Sequence, residues 1–350
     1  MQAFAMKYYL AAAYPDANVS VLDFTCPGND DGFNPRHYMS RLAASRNPVK
    51  AMTKRLLLSA RYKKAYERKF VGFEQFVGKY LNVTPIRKAA EQEYDVLLFG
   101  SDQIWNPRIT AGLQAAYFGD DPRIRGRIKA SFAASCGDVS ELSAEEFAEL
   151  RCKANALDYV AVREYSLCER MRQLGIDAIH TIDPTFLLSR EEYVRELGIS
   201  ESQEKRYVLE YALQNNQELD QVAAEISRRS DNMPIHKVCG YIDVRERSRS
   251  GIYDAGPIEF MTQLANAAYI VTNSFHGVAL SIIFRKQFSV VLPCSRQSRL
   301  MDLLNDFALT ERLCVTGEIC QATIDYEQVE KKLEKQMLAA KAYLGRVMGA

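Results

Sequence analysis

The sequence predicts an α/β protein in two halves, each a parallel sheet covered by helices. Three observations carry this. Short apolar, β-branched runs alternate with helix-like segments along the whole chain, the pattern of parallel strands joined by crossover helices. A length of 350 residues exceeds one ordinary domain and supplies core for two. The least hydrophobic stretch, SREEYVRELGISESQEK at 189–205, falls mid-chain and reads as a linker or an exposed helix between the halves. The boundaries that follow are 1–190, 205–325 and a last helix over 326–350. Loops of ligand type at strand ends in both halves imply a cleft between them.

Taken in order, the opening MKYYLAAAY has the lysine and small residues of a secretory leader. Its apolar run is too short and is broken by tyrosine, so an amphipathic helix is the better reading. Strands are expected at 19–24, 94–99, 128–134, 159–163 and 178–182, then at 207–213, 235–239, 268–272 and 288–292. Ser143 with Glu146 forms a capping box that opens a helix over 144–157, and Gly175 closes the helix that begins near Tyr165. The basic, aromatic segment 47–81 reads as a solvated helix pair over a sheet edge, in preference to a nucleic-acid or membrane-surface helix. The tail 326–346 is an amphipathic helix.

Lys and Arg number 45 against 44 Asp and Glu, so no global charge favours nucleic acid or an anionic membrane as the main partner. The eight cysteines form no CxxC pair and no His/Cys cluster, which fits reduced thiols in a cytoplasmic protein better than disulfides or zinc. No run approaches the ~20 apolar residues of a spanning helix. Neither GxGxxG nor GxxxxGK(S/T) is present, and no GxSxG elbow supports a serine hydrolase.

Four loops after expected strands are polar where bland residues would serve. In GSDQIWNP, Gly100 and Ser101 allow close backbone approach, and Asp102, Gln103 and Asn106 can hydrogen-bond a sugar; a capped turn is the plain alternative. In ASFAASCGD, small residues keep a strand end open for a ligand or for tight packing. Arg163 ends an apolar strand beside Glu164, where a guanidinium can grip phosphate or carboxylate, or simply form a surface pair. In TNSFHG, Ser274 is an N-cap candidate, and His276 and Gly277 fall in the first helical turn. A lone histidine is more often structural. Here the helix N-terminus favours its neutral form and attracts an anion, a setting suited to proton transfer. Downstream, Arg296 and Arg299 follow the next strand.

Together DVLLFGSDQIWNP, ASFAAS, AVREYS, TIDPTFLL and VTNSFHGVALSIIF, in this order, resemble the polysaccharide pyruvyl transferase family. The resemblance implies two Rossmann-like domains of GT-B kind facing a cleft. It implies transfer of a pyruvyl group from phosphoenolpyruvate to hydroxyls of a sugar, as a ketal on a surface polysaccharide or its precursor. It further implies His276 as acid/base; Arg163, Ser274 and one of Arg296 and Arg299 on the donor side; and Ser101, Asp102, Gln103 and Asn106 as acceptor-side or structural. No metal and no cofactor is implied, phosphoenolpyruvate being a co-substrate. The acceptor is a sugar or lipid-linked saccharide, through which a peripheral membrane contact follows, and nucleic acid is no partner.

One departure is expected to matter. QAFAMKYYL resembles the family's first helix, which ordinarily follows a strand and a Gly-containing loop. The expectation is that the natural gene encodes these upstream of Met1, and that a chain starting at Met1 has a weakened first half and little activity. Two other readings stand beside the transferase. A nucleotide-sugar glycosyltransferase would use Glu259 as its ribose-binding acid, and a non-catalytic relative would only bind sugar.

Overall fold

The structure, a computed structural model, describes residues 1–24, 48–202, 206–212, 216–239, 251–292, 297–314 and 318–349. Arg296, Cys26 and Cys294 lie outside them.

The first half opens with helix α1 (Gln2–Ala13), which buries Phe4, Ala5 and Leu10. Strand β1 (Leu22–Asp23) pairs in parallel with β2 (Thr84–Pro85). Strand β3 (Glu93–Phe99) pairs in parallel with β4 (Arg125–Ser131) along its length. Bridges Ala130↔Tyr159 and Ala134↔Val162 tie β4 to β5 (Val160–Val162), which pairs with β6 (Ala178–His180). The second half is one six-stranded parallel sheet built from β7 (Val208–Ala212), β8 (Ile235–Cys239), β9 (Gly251–Ile252), β10 (Tyr269–Thr272), β11 (Gln287–Val291) and β12 (Leu313–Cys314). Its spatial order is β12-β11-β10-β7-β8-β9. Val160, Ala161 and Val162 are all buried, as parallel strands covered on both faces require.

Helices follow the punctuation. After α2 (Pro48–Phe76) comes α3 (Ala144–Ala154), opened by the Ser143–Glu146 capping box; α4 (Tyr165–Gln173) is closed by Gly175 at φ +84°. Segment 48–76 is one helix of 29 residues, not a pair. Nothing in it breaks the helix before Phe76, where it passes into a π-turn over Val77–Leu81.

Of the two readings of segment 189–205, a linker or an exposed helix, residues 190–197 form the helix: α5 (Arg190–Leu197) has its own capping box, Ser189 with Glu192, and differs from expectation in burying one face. Tyr193 and Leu197, four residues apart, point into the largest core cluster, and Tyr193 Oη donates to the Thr185 carbonyl at 2.9 Å. Average hydrophobicity hid a narrow apolar face. That core joins residues from both sides of this helix, including Phe4, Ile128, Leu209 and Val278. The last helices, α6 (Gln217–Arg229), α7 (Pro257–Asn266), α8 (Phe275–Ile283), α9 (Gln297–Phe307) and α10 (Tyr326–Met348), complete the layers. Helix α10 reaches back to the first half, where Tyr343 Oη donates to the Ser131 carbonyl at 2.7 Å.

Candidate active site

Five strand ends converge. The residues after β3 (Ser101, Asp102), β4 (Ser135), β5 (Arg163, Glu164), β6 (Asp183) and β10 (His276) share contacts within one polar cluster. Parallel strands all present their carboxyl ends on one side, so this gathering follows from topology.

The β10–α8 turn forms as its residues predict. Ser274 Oγ accepts from Gly277 N at 3.4 Å and caps α8, while Thr272 Oγ1 accepts from Ser274 N at 3.1 Å. Gly277 has no space for a side chain, since a Cβ there would lie 2.3 Å from Thr272 Oγ1. His276 is thereby fixed in the first turn, its side chain 27% exposed and its Nε2 3.9 Å from Asp183 Oδ2. That nitrogen is buried and makes no hydrogen bond among the described residues.

Asp183 is the hub, fully buried. Its Oδ1 accepts from Thr185 N (3.0 Å) and Thr185 Oγ1 (2.8 Å). Its Oδ2 accepts from Arg163 Nη1 (2.9 Å), Gln2 Nε2 (2.7 Å) and Ser101 Oγ (3.0 Å). Gln2 Nε2 also donates to Ser101 Oγ at 2.8 Å, so α1 is pinned to the site. Arg163 is neither a surface pair nor a solvent-facing grip. Its side chain is 3% exposed and stacks on Phe275, with Cζ 4.4 Å from the ring centre. Glu164 Oε1 lies 3.6 Å from Arg163 Nε and accepts from Ser135 Oγ. Arg163 Nε and Nη2 are buried without a hydrogen-bond partner among the described residues.

On the open side Asp102, 54% exposed, stands 3.6 Å from Arg163 Nη2. The Gln103 carboxamide lies between two partners: one orientation accepts from Asn106 Nδ2 at 2.8 Å, the other from Arg299 at 3.2 Å. Asn106 is buried and caps the one-turn helix Pro107–Thr110, accepting from Arg108 N. Trp105, fully buried, stacks on Phe118 and anchors the loop. Gly100 permits the loop's entry, with φ +142° and a position where a Cβ would stand 1.9 Å from the Phe132 carbonyl oxygen. We expect Gly100→Ala to cost about 2–5 kcal/mol, from backbone strain plus overpacking. A urea midpoint within error of the parent would refute this.

The electrostatics separate the three acids. Burial pushes the Asp183 carboxyl up, but His276, Arg163 and the Thr185 amide outweigh it and hold it well below the usual carboxylate range. Asp102 is likewise held down against desolvation, by Arg163, then His276 and Arg299. Glu164 goes the other way, because burial exceeds the help of Arg163 and Ser135. Burial lowers the His276 pKa, and the attraction of Asp183 and Asp102 only partly restores it. The free site thus holds ionised Asp183 and Asp102, a fixed guanidinium and a neutral imidazole.

Behind the cluster a cavity of about 10 Å³, bounded by Arg163, Glu164, Asp183, Phe275, Arg299 and Asp302, has room for about one water and none for a metabolite. Among the described residues no group of His, Cys, Asp or Glu is arranged to hold a metal ion. Glu259 stands apart from the cluster, in the groove between α2 and α7 with Lys64, Arg68 and Gln75. Asp183 and Gln2 were not legible as site residues. Asp-Pro-Thr after a strand signals a capping aspartate, which Asp183 is, but its role as hub depends on Gln2, 181 residues away.

Parallel α/β sheets with a histidine, a buried arginine and ionised carboxylates at the strand ends define a class of protein able to handle anions and protons. The family model for polysaccharide pyruvyl transferase matches residues 1–295. The chain belongs to that family and is a transferase, as its motifs implied. No curated protein matches the chain. Among solved structures it is similar to UDP-GlcNAc 2-epimerase from Methanocaldococcus jannaschii (10% identity, 96% of this chain and 90% of that one, TM-score 0.41). It is also similar to UDP-N-acetylglucosamine 2-epimerase from Rickettsia bellii (10% identity, 99% and 95%, TM-score 0.39). A third similar chain is an uncharacterized protein from Klebsiella pneumoniae (14% identity, 80% and 100%, TM-score 0.37).

Proposed function

We propose that the protein transfers the pyruvyl group of phosphoenolpyruvate to two hydroxyls of a sugar, forming a ketal on a surface polysaccharide or its lipid-linked precursor. The observation that carries this is His276 Nε2, buried, unbonded among the described residues and 3.9 Å from an ionised carboxylate that Arg163 holds. A proton-transfer group needs that combination of a free nitrogen and a fixed counter-charge.

In this reading residues 1–190 form the acceptor half, 205–325 the donor half and 326–350 a closing helix, in a GT-B-like arrangement about a cleft. The donor anion approaches from the side where Asp102 and His276 are reachable, toward Arg299, Arg163 Nη2 and the α8 N-terminus capped by Ser274. His276, protonated once the anion is bound, gives its proton to the methylene carbon of phosphoenolpyruvate, leaving a cation at C2. A sugar hydroxyl adds to C2 and returns its proton to His276. Phosphate then leaves, the second hydroxyl closes the ketal, and its proton goes to the departing phosphate, which ends as inorganic phosphate. Asp183, 3.9 Å from Nε2, stabilises the charged form of the imidazole. The reaction needs no cofactor beyond the co-substrate, and it takes place in the cytoplasm, with membrane contact through a lipid-linked acceptor.

Calorimetry with phosphoenolpyruvate tests the donor side. Arg299→Ala should weaken binding roughly ten-fold or more, the loss of a charge-assisted contact. Arg163→Lys should weaken it as well, because an ammonium cannot reproduce the planar fork. Unchanged affinity in both variants, or binding of UDP-sugars with none of phosphoenolpyruvate, would overturn the assignment.

A further inference from the structure

Helix α2 has two apolar faces. At about 100° per residue, Tyr62, Tyr66 and Phe76 fall on one side, and all three are buried. Val49, Met52, Leu56 and Val71 fall within an arc of about 100° on roughly the opposite side. Their exposures are 73%, 59%, 61% and 46%. Exposed Thr53, Lys63, Glu67 and Glu74 share that arc, and its N-terminal part, Val49 to Leu56, is the chiefly aliphatic one, which a solvated cover does not account for.

The charge of the same helix is as uneven. From residue 48 to 66 it has six basic residues (Lys50, Lys54, Arg55, Arg61, Lys63 and Lys64) and no acidic one. The chain's net charge is +1, so everything outside this segment sums to −5. In sequence the basic residues are interspersed with Val49, Met52 and Leu56; Lys63 and Lys64 are exposed, and Lys63 Nζ lies 3.8 Å from Glu67 Oε1. Basic residues interspersed with exposed Met, Leu and Val are the chemistry of a helix lying in the headgroup layer of an anionic bilayer. Nucleic acid would use the charges and leave the aliphatic row in water. No helix among the described residues is long and apolar enough to cross a membrane, so the contact is one of lying on the surface.

We propose that the first half of helix α2 docks the protein on an anionic lipid surface, its aliphatic row entering the headgroup layer and its Lys and Arg residues meeting lipid phosphates. The surface is independent of the His276 cluster and of the reaction assigned to it.

The experiment is flotation of the full chain with vesicles of phosphatidylcholine alone, and of phosphatidylcholine containing phosphatidylglycerol. Binding should require the anionic lipid and decline with added salt. Met52→Glu together with Leu56→Glu should reduce partitioning roughly ten-fold or more, since both insertion and charge are opposed. Lys63→Glu with Lys64→Glu should reduce it through charge alone. Circular dichroism and donor affinity should match the parent in all of them, the positions being exposed and outside the site. The proposal is overturned if the parent chain does not float with anionic vesicles, or if the Met52/Leu56 variant floats as well as the parent. It is equally overturned if sedimentation shows that these side chains are covered by a second copy of the chain.

Discussion

His276→Gln should lower turnover by roughly 10²-fold or more while leaving the fold and donor affinity close to those of the parent. The amide keeps the volume in the first turn of α8 and removes the proton carrier, and a general acid/base contributes about that factor. The pH profile supplies a second readout. Burial keeps the His276 pKa below its ordinary value, so in the free protein the imidazolium is lost as pH rises through a point under about 6.5. The limb in kcat/KM should therefore lie low. A bound anionic donor favours the charged imidazole, so the limb in kcat should lie higher. Stability has the opposite sense to an ordinary paired histidine. Below about pH 6.5 the unfolded chain takes up this proton and the folded one resists it, so acid lowers stability. A Gln variant with near-normal kcat would remove His276 from the chemistry.

Asp183→Ala should be the most damaging single truncation in the site, costing about 3–5 kcal/mol. It strips Arg163 of its one ion pair below 3 Å and leaves a guanidinium buried against Phe275 with only the longer contacts to Asp102 and Glu164, each at 3.6 Å. It also leaves Gln2, Ser101 and the Thr185 amide without their shared acceptor. Its folded pKa is depressed, so its share of stability is present above the ordinary carboxylate range and is lost only in strong acid. Denaturant unfolding followed by circular dichroism reads the shift. Asp183→Asn retains the shape and part of the bonding, and should recover stability further than activity, because a neutral amide no longer supports an imidazolium. A parent-like midpoint for the alanine variant would mean that Asp183 is no hub.

Much of this architecture can be read from local patterns. Strand β8 falls on residues 235–239, the run expected as a strand, and β5 and β10 are the short, largely β-branched apolar runs of buried parallel strands. The caps at Ser143 and Ser274 follow from residue type and spacing alone. His276 and Arg163 could be singled out because a strand end is a special position. What resisted reading depends on distance along the chain. The geometry of Arg163 is set by Asp183 and Phe275, which nothing near Arg163 encodes. Gln2 is one polar residue in a helix until α1 brings it to Ser101. In α5, two buried side chains are outnumbered by charged neighbours, so an average over the segment conceals the face that packs.

The central claim is that the His276 cluster protonates phosphoenolpyruvate and moves its pyruvyl group to a sugar. The direct measurement is proton and phosphorus NMR of the full chain in D₂O with phosphoenolpyruvate and hexopyranosides bearing free diols. The account predicts inorganic phosphate released one for one with a ketal whose methyl group has gained a single deuterium, and neither signal with His276→Gln. Phosphoenolpyruvate left intact by a folded parent chain that instead consumes a UDP-sugar would contradict it.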